Sequence, residues 1–216
     1  MIGITGGLGS AIAQVLTDRG ATVMGASRSA GTTAPEATAA DTIALDLRDP
    51  DAGTALVEAA TSKHGRLDGV INAAGIVAFG DLTDTDDVVI EEVFLTDVLG
   101  PLWLIKRVAA TLEESKGFIV NISAVVAEAP MPSMAAYSAA KAALAAAAVS
   151  VRRELRRRGV TVIDARPPHT ETGLASRPLA GTAPRLADGL DPVSVAIRIV
   201  DAIQHGETEV ASTQFT

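Results

Sequence analysis

Short apolar runs alternate with longer helical patterns along this chain, and that alternation restricts its fold more than any other feature. Residues 21–26, 42–45, 67–72, 117–123, 160–165 and 208–212 read as strands. Most are unbroken apolar stretches rather than apolar–polar alternations, as expected of strands covered on both faces. Residues 9–19, 50–64, 84–113, 133–158 and 192–205 are long enough, and rich enough in helix formers, to be helices. Strand–helix–strand repetition predicts right-handed crossovers and an α/β fold built on an open, doubly wound parallel sheet. A length of 216 residues fits a single domain spanning 1–216. Residues 166–190, rich in Pro, Gly and Thr, form the one long irregular segment that the pattern predicts. Segments of that kind in compact domains commonly carry function.

Composition narrows the function classes. The chain has 48% hydrophobic residues but only one Trp, one Tyr and four Phe, so its core is built from Ala, Val, Ile and Leu. Eighteen basic against 26 acidic residues give a net charge of −8, which argues against a nucleic-acid or membrane-surface partner. The cluster Arg152, Arg153, Arg156, Arg157 and Arg158 closes a predicted helix, where cations complement the dipole, and reads as a solvated face. Without cysteine there is no thiolate zinc site, disulfide or cysteine nucleophile, and no metal is expected. No apolar run approaches the roughly 18 residues of a membrane span, and no signal peptide is visible at the start. A soluble cytoplasmic protein is the expectation.

The segment Gly3-Ile4-Thr5-Gly6-Gly7-Leu8-Gly9 has the spacing G-x-x-x-G-x-G and leads straight into the first predicted helix. Glycines permit positive φ and a close approach of backbone to a pyrophosphate. The helix N-terminus adds N–H groups and a partial positive charge. Gly3, Thr5, Gly6, Gly7, Leu8 and Gly9 are therefore candidate dinucleotide contacts, although a plain glycine-rich turn has the same appearance. A dinucleotide fold needs a strand of about five residues ahead of this loop, whereas only Met1 and Ile2 precede Gly3. Two readings are open. In the first, preferred because it keeps the loop spacing and leaves no glycine inside a strand, the native frame starts upstream and the chain as given is poorly stable. In the second, residues 1–5 fill the central strand position and the loop shrinks to residues 6–9.

Two further motifs decide between function classes. Asn72-Ala73-Ala74-Gly75 closes the third apolar run, and Tyr137-Ser138-Ala139-Ala140-Lys141 opens the long Ala-rich helix. Tyr137 is the only tyrosine, and one of the four lysines lies four residues after it. Residues i and i+4 share a helix face, so the Lys141 ammonium can sit beside the phenol. A nearby cation favours phenolate and is expected to draw the Tyr137 pKa from about 10 towards the working pH. Such a tyrosine can serve as general acid to a carbonyl or general base to an alcohol. With the glycine loop, in this order and at these intervals, the chain resembles the short-chain dehydrogenase/reductase family over nearly its whole length. The resemblance implies a Rossmann-type fold and hydride transfer between a nicotinamide and a carbonyl or alcohol. It also implies that Lys141 binds the nicotinamide ribose and that Asn72, Ala73, Ala74 and Gly75 shape the cofactor floor.

Cofactor choice is readable after the first long strand. NAD-binding relatives carry an acidic residue there for the ribose 2′-hydroxyl. Here Ser27 is followed by Arg28, and a hydroxyl beside a guanidinium suits a 2′-phosphate, so NADP (NADPH) is expected over NAD. Asp46 and Leu47 match the family's adenine-contacting position, though Asp46 can instead cap the following turn. Pro167, Thr170 and Thr172 match positions that contact carboxamide and phosphate. Pro168 stands where relatives usually have glycine, which removes an N–H and stiffens the loop. His169 beside them reads as a surface loop histidine.

Two positions depart from the Asn, Ser, Tyr, Lys set that the resemblance implies. The serine position is Ala124; Ser123 lies one residue earlier and, at a strand end, points to the opposite face. The asparagine position is Asp97, which can hold a water near Lys141 or pair with it directly. Losing a hydrogen-bond donor to a reacting carbonyl costs roughly 10²–10³ in rate. The leading expectation is an NADP(H)-dependent oxidoreductase on a small carbonyl or alcohol substrate, with Tyr137, Lys141, Asp97 and Ser123 as catalytic candidates. The alternative is a catalytically weak or inactive dinucleotide-binding sensor or scaffold of the same fold. Methyl transfer from S-adenosylmethionine has no use for the Tyr137–Lys141 pair. Residues 171–190, over the pocket, carry no aromatic side chain, which favours aliphatic contacts over ring stacking. Relatives often pair through the two long helices, so a homodimer or homotetramer through residues 84–113 and 133–158 is expected.

Overall fold

The computed structural model describes residues 1–28 and 41–215. Its strands are β1 (Gly25–Ser27), β2 (Thr42–Ala44), β3 (Gly69–Asn72), β4 (Phe118–Ile122), β5 (Thr161–Ala165) and β6 (Glu209–Val210), and every pairing among them is parallel. Ile2 bridges Ala26 on one side and Asn72 on the other. The spatial order is therefore β2, β1, Ile2, β3, β4, β5, β6. The helices are α1 (Gly7–Asp18), α2 (Ala52–His64), α3 (Asp87–Phe94), α4 (Gly100–Ser115), α5 (Ala135–Arg156) and α6 (Pro192–Gln204). Strand order reverses at Ile2, and in such sheets ligands bind in the crevice beyond the strand carboxyl ends at that point.

The unbroken apolar runs have a direct cause. Val70, Ile119 and Val162 pack into one layer with Leu56 of α2, Leu104 and Val108 of α4 and Leu155 of α5. Their chain neighbours Ile71, Val120 and Ile163 pack into the other layer with Ile12 of α1 and Val195 and Ile199 of α6. Successive side chains point to opposite faces, and here both faces are covered. Local signals set the helix ends. The Asp191 side chain accepts from Ser194 N at 2.9 Å ahead of Pro192, and Gly65 ends α2 in the left-handed region at φ 76°. Among the described residues, no helix is long and apolar enough to cross a membrane. In the basic cluster, Arg158 pairs with Glu113 at 2.5 Å, and Arg153, Arg156 and Arg157 are exposed.

Several boundaries differ from the sequence reading. The run 21–26 contributes a strand only at Gly25–Ser27. It begins where the N-terminal residues start to pair: the Met1 amine donates to Met24 O, Ala26 N–H to Met1 O and Gly3 N–H to Ala26 O. The run 208–212 narrows to Glu209–Val210, because Ala211 N donates to Gln214 Oε1 and the chain turns. The single helix expected over 84–113 is a 3₁₀ turn at Leu82–Asp84, then α3, a five-residue π segment at Leu95–Leu99, and α4. Pro101 has no N–H to return to the Asp97 carbonyl, and a widened turn takes up that break.

At the N-terminus, α1 begins at Gly7 rather than Gly9, with Gly6 as its cap residue. Residues 1–5 do not form a continuous strand; Ile2 alone bridges both neighbours. Gly3 lies in a turn, so the loop keeps its longer spacing, while Met1 and Ile2 take the central strand position with hydrogen bonds to both neighbouring strands. Burial holds the Met1 ammonium at a pKa of about 5, down from 8.0.

Candidate active site

The crevice beyond the carboxyl ends of the central strands holds a cavity of about 410 Å³. Its base is the glycine loop. Gly3 has φ +76°, and a Cβ there would lie 2.7 Å from Ala74 N; a Cβ at Gly9 would run into the Gly3 carbonyl oxygen. The loop can close on itself and on the turn after β3 only with glycine at both places. Gly6 N–H donates to Gly3 O at 3.0 Å, and Ser10 N–H to Gly6 O at 2.8 Å. Gly7, Leu8 and Gly9 form the first turn of α1, whose N–H groups have no acceptor within the helix. They line the cavity together with Gly3, Thr5 and Gly6.

The turn after β3 forms the next wall. Asn72 is buried and does not line the cavity; its Oδ1 accepts from Ala74 N–H at 3.2 Å. It thereby fixes Ala73, Ala74 and Gly75, which do line it. At one end of the cavity stand Ser27, Arg28, Asp46 and Leu47. Ser27 is buried and Arg28 exposed. Asp46 accepts from Arg48 N–H at 3.0 Å, so it does cap its turn. It is also gripped by the Arg48 guanidinium at 2.7 Å, which reaches Glu92 at 2.9 Å. Hydrogen bonding from Arg48 holds the Asp46 carboxyl below the usual carboxylate range, and the Arg28 charge acts in the same direction. Arg48, a further cavity residue, was not singled out by the sequence; its only local signal is a position two residues beyond Asp46.

At the other end stand Tyr137 and Lys141, one turn apart on α5. The Lys141 Nζ lies 5.6 Å from the Tyr137 ring centroid, donates to Ile122 O at 3.2 Å, and is 3.5 Å from Asp97 Oδ2. Asp97 sits behind Lys141, fully buried and outside the cavity lining, with Oδ1 accepting from Ile76 N–H at 2.9 Å. The expected downward pull on Tyr137 is not what prevails. Burial pushes the phenol up, Lys141 offsets this only in part, and Asp97 pushes it further up.

Ser123 reaches the cavity edge, but its hydroxyl donates to Asp164 Oδ1 at 2.6 Å, and Asp164 in turn pairs with Arg166 at 2.6 Å. Strand alternation turns it into the sheet, and it is withdrawn as a catalytic candidate. Ala124 lines the cavity in its place with a methyl group.

The remaining wall is largely apolar, from Val77, Phe79, Val126, Met131, Met134 and Leu174, with Arg177 the charged side chain beside them. None of these was singled out by the sequence; Phe79 supplies the aromatic surface that residues 171–190 lack. That segment folds against it, with Leu179 N–H donating to Val77 O at 2.7 Å and Phe79 N–H to Ala180 O at 2.9 Å. Pro167, Thr170 and Thr172 line the cavity, and the Thr172 carbonyl crowds Gly7 so closely that a Cβ there would lie 2.7 Å away. His169 also lines it, 3.3 Å from Glu171. The sequence-predicted residues are thus brought together, except that Asn72 and Asp97 lie just behind the surface and the Ser123 hydroxyl, at the cavity edge, is taken up by Asp164. A cradle that excludes Cβ atoms, set against an unsatisfied helix N-terminus, fits the diphosphate of a dinucleotide.

Comparison with known proteins points the same way. Residues 1–180 match the family described as short chain dehydrogenase. Ketoacyl reductase HetN from a Nostoc species is 32% identical over 223 aligned residues, covering 99% of this chain and 77% of that protein. Among solved structures, a 3-ketoacyl-(acyl-carrier-protein) reductase from Brucella melitensis complexed with NADH has a TM-score of 0.87 at 21% identity, covering 98% of this chain and 93% of that one. A short chain dehydrogenase from Burkholderia cenocepacia in complex with NADP has a TM-score of 0.80 at 23% identity, covering 97% and 85%. At these identities the structural likeness is one of fold.

Proposed function

Because this chain belongs to the short-chain dehydrogenase/reductase family of dinucleotide-dependent oxidoreductases, we propose that it uses NADP(H) to interconvert a small aliphatic carbonyl compound and its alcohol. The observation that carries this reading is the presence, in one cavity, of the Tyr137–Lys141 pair and the glycine cradle at the start of α1. Gly3, Thr5, Gly6, Gly7, Leu8 and Gly9 would hold the diphosphate, Asp46 and Leu47 the adenine, and Ala73, Ala74 and Gly75 the floor, with Asn72 fixing that turn. Pro167, Thr170 and Thr172 would close the nicotinamide end, as part of a loop spanning 166–190. When bound, the nicotinamide supplies or accepts a hydride. The Tyr137 hydroxyl gives its proton to the carbonyl oxygen in reduction and regains it in oxidation. Lys141 steadies the resulting phenolate and binds the ribose. Val77, Phe79, Met131 and Met134 exclude water from the reacting carbon and favour an uncharged aliphatic substrate over a polar one. A sensor or scaffold without chemistry is not favoured, since Tyr137 and Lys141 are both in place. Pairing of two copies through residues 84–113 and 133–158 belongs to the same reading; Val88 and Leu99 are exposed on the first of these segments. Consumption of NADPH with a panel of aliphatic ketones tests the activity, and a protein that binds NADPH but turns over no ketone would contradict it.

Arg28 is exposed at the cavity rim, where it can meet a 2′-phosphate. NADPH is expected to bind at least about tenfold tighter than NADH, a difference of about 1.4 kcal/mol. Arg28→Ala should erase most of that preference, as read by fluorescence titration with each cofactor. Equal affinities in the parent protein would reject the assignment. Ala124→Ser would place a hydroxyl donor on the cavity wall, and should raise turnover about tenfold or more. No gain would mean that another donor already serves the carbonyl.

A further inference from the structure

We infer that Asp97 is a positioning residue that acts through Lys141 to keep Tyr137 in its protonated form, setting the site for carbonyl reduction. The inference rests on the oxidoreductase reading above and adds the direction in which the site is poised. Its basis is a carboxyl group where the family pattern has a neutral amide; burial pushes that carboxyl above the usual range, and the Lys141 ammonium and the Ile76 N–H oppose the shift. Asp97 lies on the π segment Leu95–Leu99, has no solvent exposure, and is held by Ile76 N–H through Oδ1. Its Oδ2 has no hydrogen-bond partner and lies 3.5 Å from the Lys141 ammonium. Gly75 roofs the pair: a Cβ there would sit 3.2 Å from Lys141 Nζ and 3.3 Å from Asp97 Oδ1. The ammonium is therefore held between a carboxylate, the Ile122 carbonyl and the face of the Tyr137 ring.

A lone buried ammonium would favour tyrosinate strongly, because little solvent screens it. When ionised, Asp97 at 3.5 Å from that ammonium offsets its field at the phenol. Burial works against the ammonium itself, but Asp97 and then Tyr137 raise its pKa, with Asp164 of β5 acting in the same direction. Asp164 is in turn hydrogen-bonded to Ser123 and ion-paired with Arg166. From the loop after β5, Arg177 and His169 line the same cavity and Glu171 borders it; the turn after β3 contributes only uncharged residues. Asp97 is thus the one carboxylate in contact with Lys141 among the described residues. A protonated phenol is the form needed to reduce a carbonyl, and tyrosinate the form needed to oxidise an alcohol. The overall equilibrium is untouched; what shifts is the pH range in which each direction runs.

Tyr137 is the only tyrosine, so near-ultraviolet absorbance of tyrosinate titrates this one group in the cofactor-free protein. The parent midpoint should lie above the ordinary value of about 10. Asp97→Asn keeps the side-chain volume and the acceptor for Ile76 N–H, and should lower the midpoint by about one pH unit or more. The pH profile of alcohol oxidation should move down by the same amount. Asp97→Thr, smaller and also neutral, should shift it in the same direction. Folding of each variant is checked by circular dichroism, and Tyr137→Phe supplies the blank. A parent midpoint below the ordinary value overturns the inference without any variant, as does an unchanged or raised midpoint in folded Asp97→Asn. The titration needs neither cofactor nor substrate, so its failure is distinct from a failure of the oxidoreductase reading.

Discussion

Replacing Tyr137 with Phe should lower turnover by roughly 10²–10⁴-fold, the usual worth of a positioned general acid, and leave dinucleotide affinity within a few-fold. The phenol, set beside the Lys141 ammonium, is the group that gives a proton to the carbonyl in this account. The ring itself is a packing element: it is buried against Val77, Phe79, Val126 and Met134, and phenylalanine fills the same space. Lys141 keeps its contacts with Asp97 and Ile122 O, so the local structure does not depend on the hydroxyl. Steady-state turnover of an aliphatic ketone, set beside NADPH binding by fluorescence, checks both halves. Undiminished turnover would move the chemistry to another group.

Stability should depend on pH through the Met1 amine to a comparable extent. In the 216-residue chain with a free amine, burial holds the folded-state pKa near 5, against 8.0 for the exposed group. Between these values the unfolded chain carries a proton that the folded chain does not, so stability rises with pH across that window. It is fully present above pH 8 and is lost as pH falls towards 5, by up to about 4 kcal/mol. That is a large share of the 5–15 kcal/mol, roughly, that holds a typical domain together. Urea unfolding at pH 5 and pH 8 measures the difference, and acetylation of the amine should flatten the profile. An unmodified chain equally stable at both values would show that the amine is solvated.

What was legible in the sequence follows from the range of the forces involved. The two-faced burial of β3, β4 and β5 writes itself into unbroken apolar runs, and the caps at Asp191 and Gly65 are local. The inward turn of the Ser123 hydroxyl also follows from strand alternation alone. The break at residues 95–99 was within reach, since Pro101 is visible, but the apolar pattern of residues 84–113 runs through it and masks the change of helix type. The short β1 depends on which residues pair with it across the sheet, which its own sequence does not encode. The apolar wall joins Phe79, Met134 and Leu174 from three separate segments, and no local pattern links them. The sign of the Tyr137 shift was the least accessible. The i, i+4 spacing showed Lys141 and the resemblance put Asp97 near it, but the burial that dominates the shift exists only after folding.

The central claim is that the Tyr137–Lys141 site, set on its dinucleotide cradle, reduces carbonyl groups. NADPH labelled with deuterium on either face of the reactive nicotinamide carbon, mixed with the protein and an aliphatic ketone, tests this most directly. The account predicts that one of the two labelled cofactors yields an alcohol one mass unit heavier, with the parent protein and not with Tyr137→Phe. Ketone recovered unchanged with both cofactors, at concentrations where NADPH is shown to be bound, would contradict it.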